Sequence, residues 1–504
     1  AIVGPTVKGP SMIPTTVDSY NEYKEKFGET FVSGGSVYQY YTSYAAKEYL
    51  KHGNRLTICR ITDGSGPTAP SSATASLYWT GPGGNAEALT LETHDAGFVL
   101  DGFGNGDTAD SIKYEVSATS SRESGTFNLL IRRGDDSHKS KIILETWNNL
   151  SMQPTASNFV SRVIGDRKLT FDASGPYLQT SGSFPNKSKY IRIKQVSSSL
   201  ANTVPNPGSG SLNGSFGGGS DGNNWRENPF FDKAAQKIQF HQGTDITDTS
   251  SQGLDLSANS ASQDYKDAIS LLCNPDEYDL NLLLTPGIVY NTGFTNQNSI
   301  INHAIEKVEK RADCFYIFDS SKADGTISTQ VDNAGNFDTS YAATYYPWVR
   351  IADGATGGMV WVPPSVAMAG VYAFNDKISH PWFAPAGLNR GGVDSAIQAY
   401  RKLNHSNRDT LYENKVNPIA TFPGQGVVAW GQKTLQSKAS ALDRINVRRL
   451  LIKVKKFIAS SSKFLVFENN TAQLRKRFLN IVTPYLEQVQ SQSGLTAFKV
   501  VMDE

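Results

Sequence analysis

Apolar residues recur at different periods along this chain, and the changes of period divide it. In residues 442–460, Val447, Leu450, Leu451, Val454, Phe457 and Ile458 recur at i, i+3, i+4, i+7, which predicts a helix with one apolar stripe. Arg444, Arg448, Arg449, Lys453, Lys455 and Lys456 cover its opposite side. Asp443 stands at the start and the lysines toward the end, the order a helix dipole favours. Residues 1–63 read as strand, helix, helix, strand. Ser19 precedes a short helix through Phe27; Val37, Tyr41, Tyr44, Ala45 and Tyr49 line a second one closed by Gly53; residues 56–61 are a strand.

From Gly64 to about Phe231 the texture changes to short β-type runs separated by Gly, Ser, Asn and Pro, such as 126–131 and 141–144. One helical segment, 158–164, interrupts them, and the Pro/Gly/Ser/Asn tract 202–224 reads as a long flexible loop. This predicts an inserted, mostly β domain. Helix and strand alternate again after Asp232. Helices are expected at 264–273 and 298–311, the second with Ile301, Ile305 and Val308 inward. Buried strands are expected at 278–284, ending at Pro286-Gly287, and at 314–318. That spacing predicts a parallel α/β sheet. The last third predicts a helix after Gly392, a strand at 427–430, the basic helix and a strand at 464–467. A helix from Thr471, kinked at Pro484, and a final strand at 498–504 complete it. No heptad or solenoid repeat is present.

A length of 504 residues suits two to four domains, and 38% hydrophobic with 19% charged residues is ordinary for a globular protein. No run approaches bilayer-spanning length, and the N-terminus lacks a basic region followed by an apolar one. Cys59, Cys273 and Cys314 each lie in an apolar run without a CxxC pair, which reads as buried free thiols and a reducing compartment. A net charge of +1 argues against wholesale nucleic-acid coating. The basicity is local instead. Ten lysines and arginines stand between Arg444 and Arg477 against one acid, Glu468, making either a surface for an acidic partner or a solvated face. The chain begins at Ala1 without Met and stops in an apparent strand with no tail, so both ends read as trimmed.

Catalytic patterns are weak. Gly218-Gly219-Ser220-Asp221-Gly222 matches GxSxG, but no apolar strand leads into it and no helix leaves it, so a nucleophile elbow is not expected. No Gly-rich phosphate loop ends in GK[ST]. His303 and Glu306 share a helix face without a third ligand, and Asp313 and Asp319 flank a strand without a partner His or Lys. No catalytic residue, cofactor or metal site is expected.

Three aromatic strings are more informative: Tyr345-Tyr346-Pro347-Trp348, Val362-Pro363-Pro364-Ser365 followed by Ala369-Gly370-Val371, and residues 382–391, which read WFAPAGLNRG. Alone, each would be core packing. In this order they are joined by Gly426-Val427-Val428-Ala429-Trp430-Gly431, by residues 443–450 and by Phe467-Glu468-Asn469-Asn470. Together they resemble the sheath protein of contractile phage tails. Residues 4–10 with Phe27-Gly28 resemble that family's opening, and residues 125–151 resemble its inserted β domain, whereas 171–252 shows no clear counterpart.

The resemblance implies an α/β protein, α+β overall. Residues 1–63 and 232–380 would form a parallel-type α/β core, subtilisin-like by resemblance, with 64–231 as an inserted mostly β domain. Residues 381–504 would be a C-terminal α/β sheath domain facing the inner tube. It further implies six-membered rings of copies stacked helically around the inner tail tube protein. Baseplate and tail terminator proteins are the further partners implied, with no direct nucleic acid and no membrane. The location implied is the virion tail, after assembly in the host cytoplasm. Sheath subunits are stitched by terminal arms that add strands to a neighbour's sheet. Both arms read as missing here, so this chain is expected to polymerise poorly where the intact protein would polymerise. Arg449, Lys453 and Lys456, with Lys463, are the expected tube-contact residues. Competing readings are a hydrolase on the α/β core, a nucleic-acid binder using the basic helix, and the sheath of a tailocin or type VI-like injection machine.

Overall fold

The computed structural model describes the chain except residues 34–35, 63–70, 82–83, 97–111, 119–124, 202, 206–212, 220–230, 233–236, 239–245, 258–260, 355–356 and 503–504. Ser19 accepts from the Glu22 N–H and opens α1 (Tyr20–Phe27), which Gly28 closes. The second helix, α2 (Tyr41–Leu50), buries Tyr41, Tyr44, Ala45 and Ala46. Val37, expected on its apolar side, instead lies in the strand Ser36–Tyr38, paired with Phe31–Ser33. The remaining helices are α3 (Val160–Ile164), α4 (Ala261–Leu272), α5 (Asn296–Arg311), α6 (Ile327–Gly335), α7 (Pro364–Ile378), α8 (His405–Glu413), α9 (Ile445–Ser462) and α10 (Ala472–Ser491).

Among the described residues the largest sheet has eight strands, in the order Thr15–Val17, Leu56–Arg60, Ile2–Gly4, Leu282–Val289, Phe315–Asp319, Ala342–Tyr346, Val416–Phe422, Gly426–Ala429. The middle strands pair in parallel, and one antiparallel strand closes each end. Parallel strands covered on both faces read as unbroken apolar runs. Every residue of Leu282–Val289, Phe315–Asp319 and Ala342–Tyr346 is buried accordingly. Alternate side chains serve opposite faces. Phe315 and Ile317 pack with Tyr44, Val366 and Tyr372 of α2 and α7. Tyr316 and Phe318 pack with Tyr265, Ile269, Ile301 and Val308 of α4 and α5. Gly370 lets α2 and α7 approach, since a Cβ there would come within 3.2 Å of the Glu48 carbonyl.

The inserted region has its own antiparallel sheets. One orders Ile191–Val196, Gly84–Ala96, Ser72–Gly81; the other orders Ile143–Ser151, Thr126–Arg133, Ile112–Ala118, Asn213–Ser215. Their inner faces share a core of Leu89, Leu91, Val116, Leu129, Ile131 and Ile193, separate from the two cores of the large sheet. The expected loop 202–224 and the GxSxG residues 220–222 lie largely outside the described residues. Of the described part, Asn213–Ser215 pairs with Ile112–Ala118.

Several elements differ from expectation for physical reasons. The strand expected at 278–284 is Leu282–Val289; it runs through Pro286-Gly287 by a register shift, with Gly287 at φ 88°. The helix expected after Gly392 is a strand, Ala396–Ala399, recruited by pairing with Val349–Ala352; α8 starts only at His405, capped by Asn404. Among the described residues, 464–467 pair with no strand. They form the turn Lys463–Leu465 and then Phe467 at φ 70°, with the Phe464 and Phe467 side chains exposed. Residues 498–502 carry no strand. The large sheet also takes in Val416–Phe422 and Gly426–Ala429, beyond the expected division at residue 381. Helix α10 continues through Pro484 and stacks Tyr485 on Phe457 of α9, ring centroids 3.7 Å apart.

Candidate functional site

Helix α9 does not divide into one apolar and one basic face. Its buried residues are Ile445, Arg448, Arg449, Leu450 and Ile452, whereas Leu451 is 42% exposed. Ile445 and Ile452 join the core beneath α7, and Leu450 packs with Trp382 and Val489. Two guanidinium groups can sit inside because receptors are built for them. Arg449 donates to both carboxylate oxygens of Asp376 on α7, at 2.9 and 2.5 Å, and lies 4.9 Å from the Tyr372 ring centre. Tyr372 is bonded in turn to the Tyr345 hydroxyl at 2.9 Å. Arg448 donates to Ser340 Oγ and stands 4.1 Å from the Tyr341 ring centre, and burial pulls its pKa below the ordinary value. Arg449, expected as a surface cation, is therefore an internal one.

The other three candidates line one edge of a groove of about 540 Å³ between α9 and the segment that follows α4. Lys453 is exposed on its rim. Lys456 donates to Asp279 Oδ1 (2.6 Å), the Leu280 carbonyl (2.5 Å) and Asn281 Oδ1 (2.8 Å). That ammonium holds the Asp279 carboxyl below the usual carboxylate range. Lys463 stands 3.9 Å from Asp276, both side chains exposed. The acidic partners Asp276 and Asp279 escaped the sequence reading. Their signal is an acidic triplet, Asp276, Glu277 and Asp279, just ahead of a buried strand.

Other candidate chemistry resolves into structural work. Asp319 ends a central parallel strand, the end at which open α/β sheets usually bind ligands. Its buried carboxylate instead accepts from the Ser365 N–H (2.9 Å) and hydroxyl (2.6 Å) in the first turn of α7. Burial pushes its pKa up to about 7, against those two bonds. Asp313 pairs with Arg311. The His303 imidazole shares a hydrogen bond with Ser270 Oγ (2.8 Å) and so ties α5 to α4. Glu306 pairs with Lys310 at the surface. Among the described residues no three His, Cys, Asp or Glu side chains converge to hold a metal ion, and no helix is long and apolar enough to cross a membrane.

Comparison with known proteins bears on the sheet that carries these residues. Residues 258–435 match the family model described as the phage tail sheath protein central domain. The tail sheath protein of Vibrio phage KVP40 is 39% identical over 174 residues, 34% of this chain and 26% of that protein. The tail sheath protein of Enterobacteria phage T4 is 28% identical over 272 residues, 51% of this chain and 41% of that protein. The matches thus span less than half the length of either relative. The crystal structure of the sheath tail protein Lin1278 from Listeria innocua superposes with a TM-score of 0.59 at 12% identity, covering 99% of this chain and 86% of that one, which shows a shared fold. The matched segment runs from α4 through the edge strand Gly426–Ala429, and so includes most of the parallel sheet and the carboxylates that face α9. The central layer of this chain thus lies in a segment that matches the phage tail sheath protein central domain and is similar to the tail sheath proteins of two phages.

Proposed function

We propose that this chain is a structural subunit of a contractile tail sheath, working by repacking against copies of itself and catalysing no reaction. Copies form six-membered rings stacked around an inner tail tube in the virion tail, after assembly in the host cytoplasm. A baseplate releases contraction, a terminator closes the far end, and the tube is driven through the host envelope. The observation that carries this reading is the sheath central-domain match over residues 258–435. It is supported by the use of Asp319, the best-placed carboxylate on the sheet, as a cap for α7. The energy of contraction is stored in assembly. A metastable packing gives way to a lower one once its barrier is removed, and a few kcal/mol per subunit, the scale of ordinary coupling energies, is multiplied by the number of copies.

We assign tube contact to Lys453, Lys456 and Lys463. Exposed ion pairs are each worth only about 0–1 kcal/mol and are screened by salt. Many such weak contacts hold a tube in register yet release one at a time. Electron microscopy of the intact protein expressed alone tests the class. Hollow tubes of sheath width are expected. A protein that stays monomeric under every assembly condition, or that turns over a substrate at its sheet, overturns the reading.

A further inference from the structure

A cavity of about 460 Å³ lies where the inserted region meets the first loop of the large sheet. Three pieces of chain wall it. The core side is Pro10 and Ile13, from the loop between the strands Ile2–Gly4 and Thr15–Val17. The insert's sheet supplies His94 and Arg192, from the paired strands Gly84–Ala96 and Ile191–Val196. The third wall is a two-stranded ribbon, Lys168–Asp172 against Tyr177–Ser181, with Arg167 before it and Pro185 and Asn186 after it.

These walls are fixed before anything enters. Phe171 of the ribbon packs against a core of the large sheet. At the ribbon's base, Asn186 Nδ2 donates to the Arg167 carbonyl (2.8 Å) and the Phe184 N–H to Asp166 Oδ1 (2.6 Å). Two glycines at positive φ let these segments close up. A Cβ on Gly165 would fall 2.3 Å from Asn186 Cα, and one on Gly182 would fall 2.4 Å from the Asp166 carbonyl oxygen. His94 donates through Nε2 to the Ser188 carbonyl (3.0 Å). Small-molecule sites are clefts of this size, already formed, with a few fixed polar groups among apolar ones.

The charge of the wall is one-sided. Arg167, Lys168 and Arg192 line it, and among the described residues that do so none is acidic. The buried Glu92 is shared: Lys168 donates to it at 3.0 Å, and so does Arg192. One carboxylate thus serves two cations. Arg192 is only 9% exposed and also donates to the Asp166 carbonyl (3.2 Å). Arg167 is exposed, and its guanidinium has no hydrogen-bond or ion-pair partner among the described residues. A free guanidinium offers a carboxylate two parallel hydrogen bonds.

We propose that the cavity binds a small organic carboxylate, its apolar body against Pro10, Ile13, Leu169 and Pro185 and its charge at Arg167. A phosphate, with more charge and no apolar body, would leave those four side chains uncovered and meet a single free guanidinium. The walls come from insert and core together, so an occupant joins one to the other. Binding here is independent of whether the chain builds a sheath.

The test titrates the intact folded protein with cinnamate by isothermal titration calorimetry. One-to-one saturation is expected with a Kd of about 1 mM or below, the affinity usual for so few atoms. Cinnamamide, the same body without the charge, should bind about tenfold more weakly or worse, the scale of a lost charged hydrogen bond. Inorganic phosphate, charge without the body, should not displace cinnamate at equal concentration. R167A should lose about tenfold or more, and L169D, which sets a carboxylate in the wall, should lose as much. Both side chains are exposed, so both variants should fold, which circular dichroism checks. Absence of saturation, equal binding of the amide, displacement by phosphate, or wild-type affinity in either folded variant overturns the proposal. If one variant unfolds, the other and the amide decide.

Discussion

Asp319 and Arg449 hold charge inside the molecule in opposite ways. A carboxyl whose pKa is raised by folding binds its proton more tightly folded than unfolded. Its contribution is whole below the ordinary value of 3.8 and is lost as pH climbs through about 7. D319N keeps an acceptor for Ser365 but cannot titrate, so its stability relative to wild type should rise between these pH values by a few kcal/mol, at ~1.4 kcal/mol per unit. Urea titrations of both proteins across that range check this; parallel curves would refute it. R449A should cost about 2–3 kcal/mol in chemical denaturation, with R449K intermediate because an ammonium cannot make the paired bond. The loss falls below the usual cost of breaking a buried pair because the Asp376 side chain is 33% exposed. A loss near zero would show that water replaces the guanidinium. The sequence placed Asp319 correctly at a strand end and left it without a partner, because Ser365 lies 46 residues away. Arg449 was misread for a related reason. Helical spacing reports which residues share a face, and not that a distant Asp376 makes a buried arginine tolerable.

At the scale of elements, α9 and α10 form the part whose charge is on offer. Reversing Lys453 and Lys463 together should leave unfolding almost unchanged yet weaken tube attachment. Cosedimentation with tubes should show the defect most strongly at low salt. Equal attachment at every salt concentration would remove these lysines from the interface. At the turn between the helices, Phe467 holds a positive φ without packing of its own, so F467G should stabilise the isolated chain by about 1 kcal/mol in urea unfolding. A loss of stability there would mean that the ring is packed in solution. Helices α1, α4, α5, α9 and α10 were legible from apolar spacing and from caps such as Ser19 and Thr471, whereas α6 and α7 were not expected. The run at 464–467 was not, because a strand needs a neighbour and local sequence does not say whether one is near.

Over the whole molecule, the parallel layer was readable because Leu282–Val289 and Phe315–Asp319 are apolar throughout and alternate with helices. The antiparallel strands among residues 72–196 were expected from the change of texture after Gly64. What stayed hidden was that the sheet continues to Gly426–Ala429, since strand order is set by packing at long range. Separate cores predict separate melting. Leu129→Ala, in the inserted core, should lower one calorimetric transition, and Ile317→Ala, in the large sheet, another, each by about 2–5 kcal/mol. A single transition moved by both would mean that the cores unfold as one. The inserted region also departs and returns through one doorway: Ile61 on the way out and Leu254 and Leu256 on the way back share the same buried cluster. A compact cargo whose two termini lie close together should be accepted there in place of the native insert without rethreading any strand of the sheet.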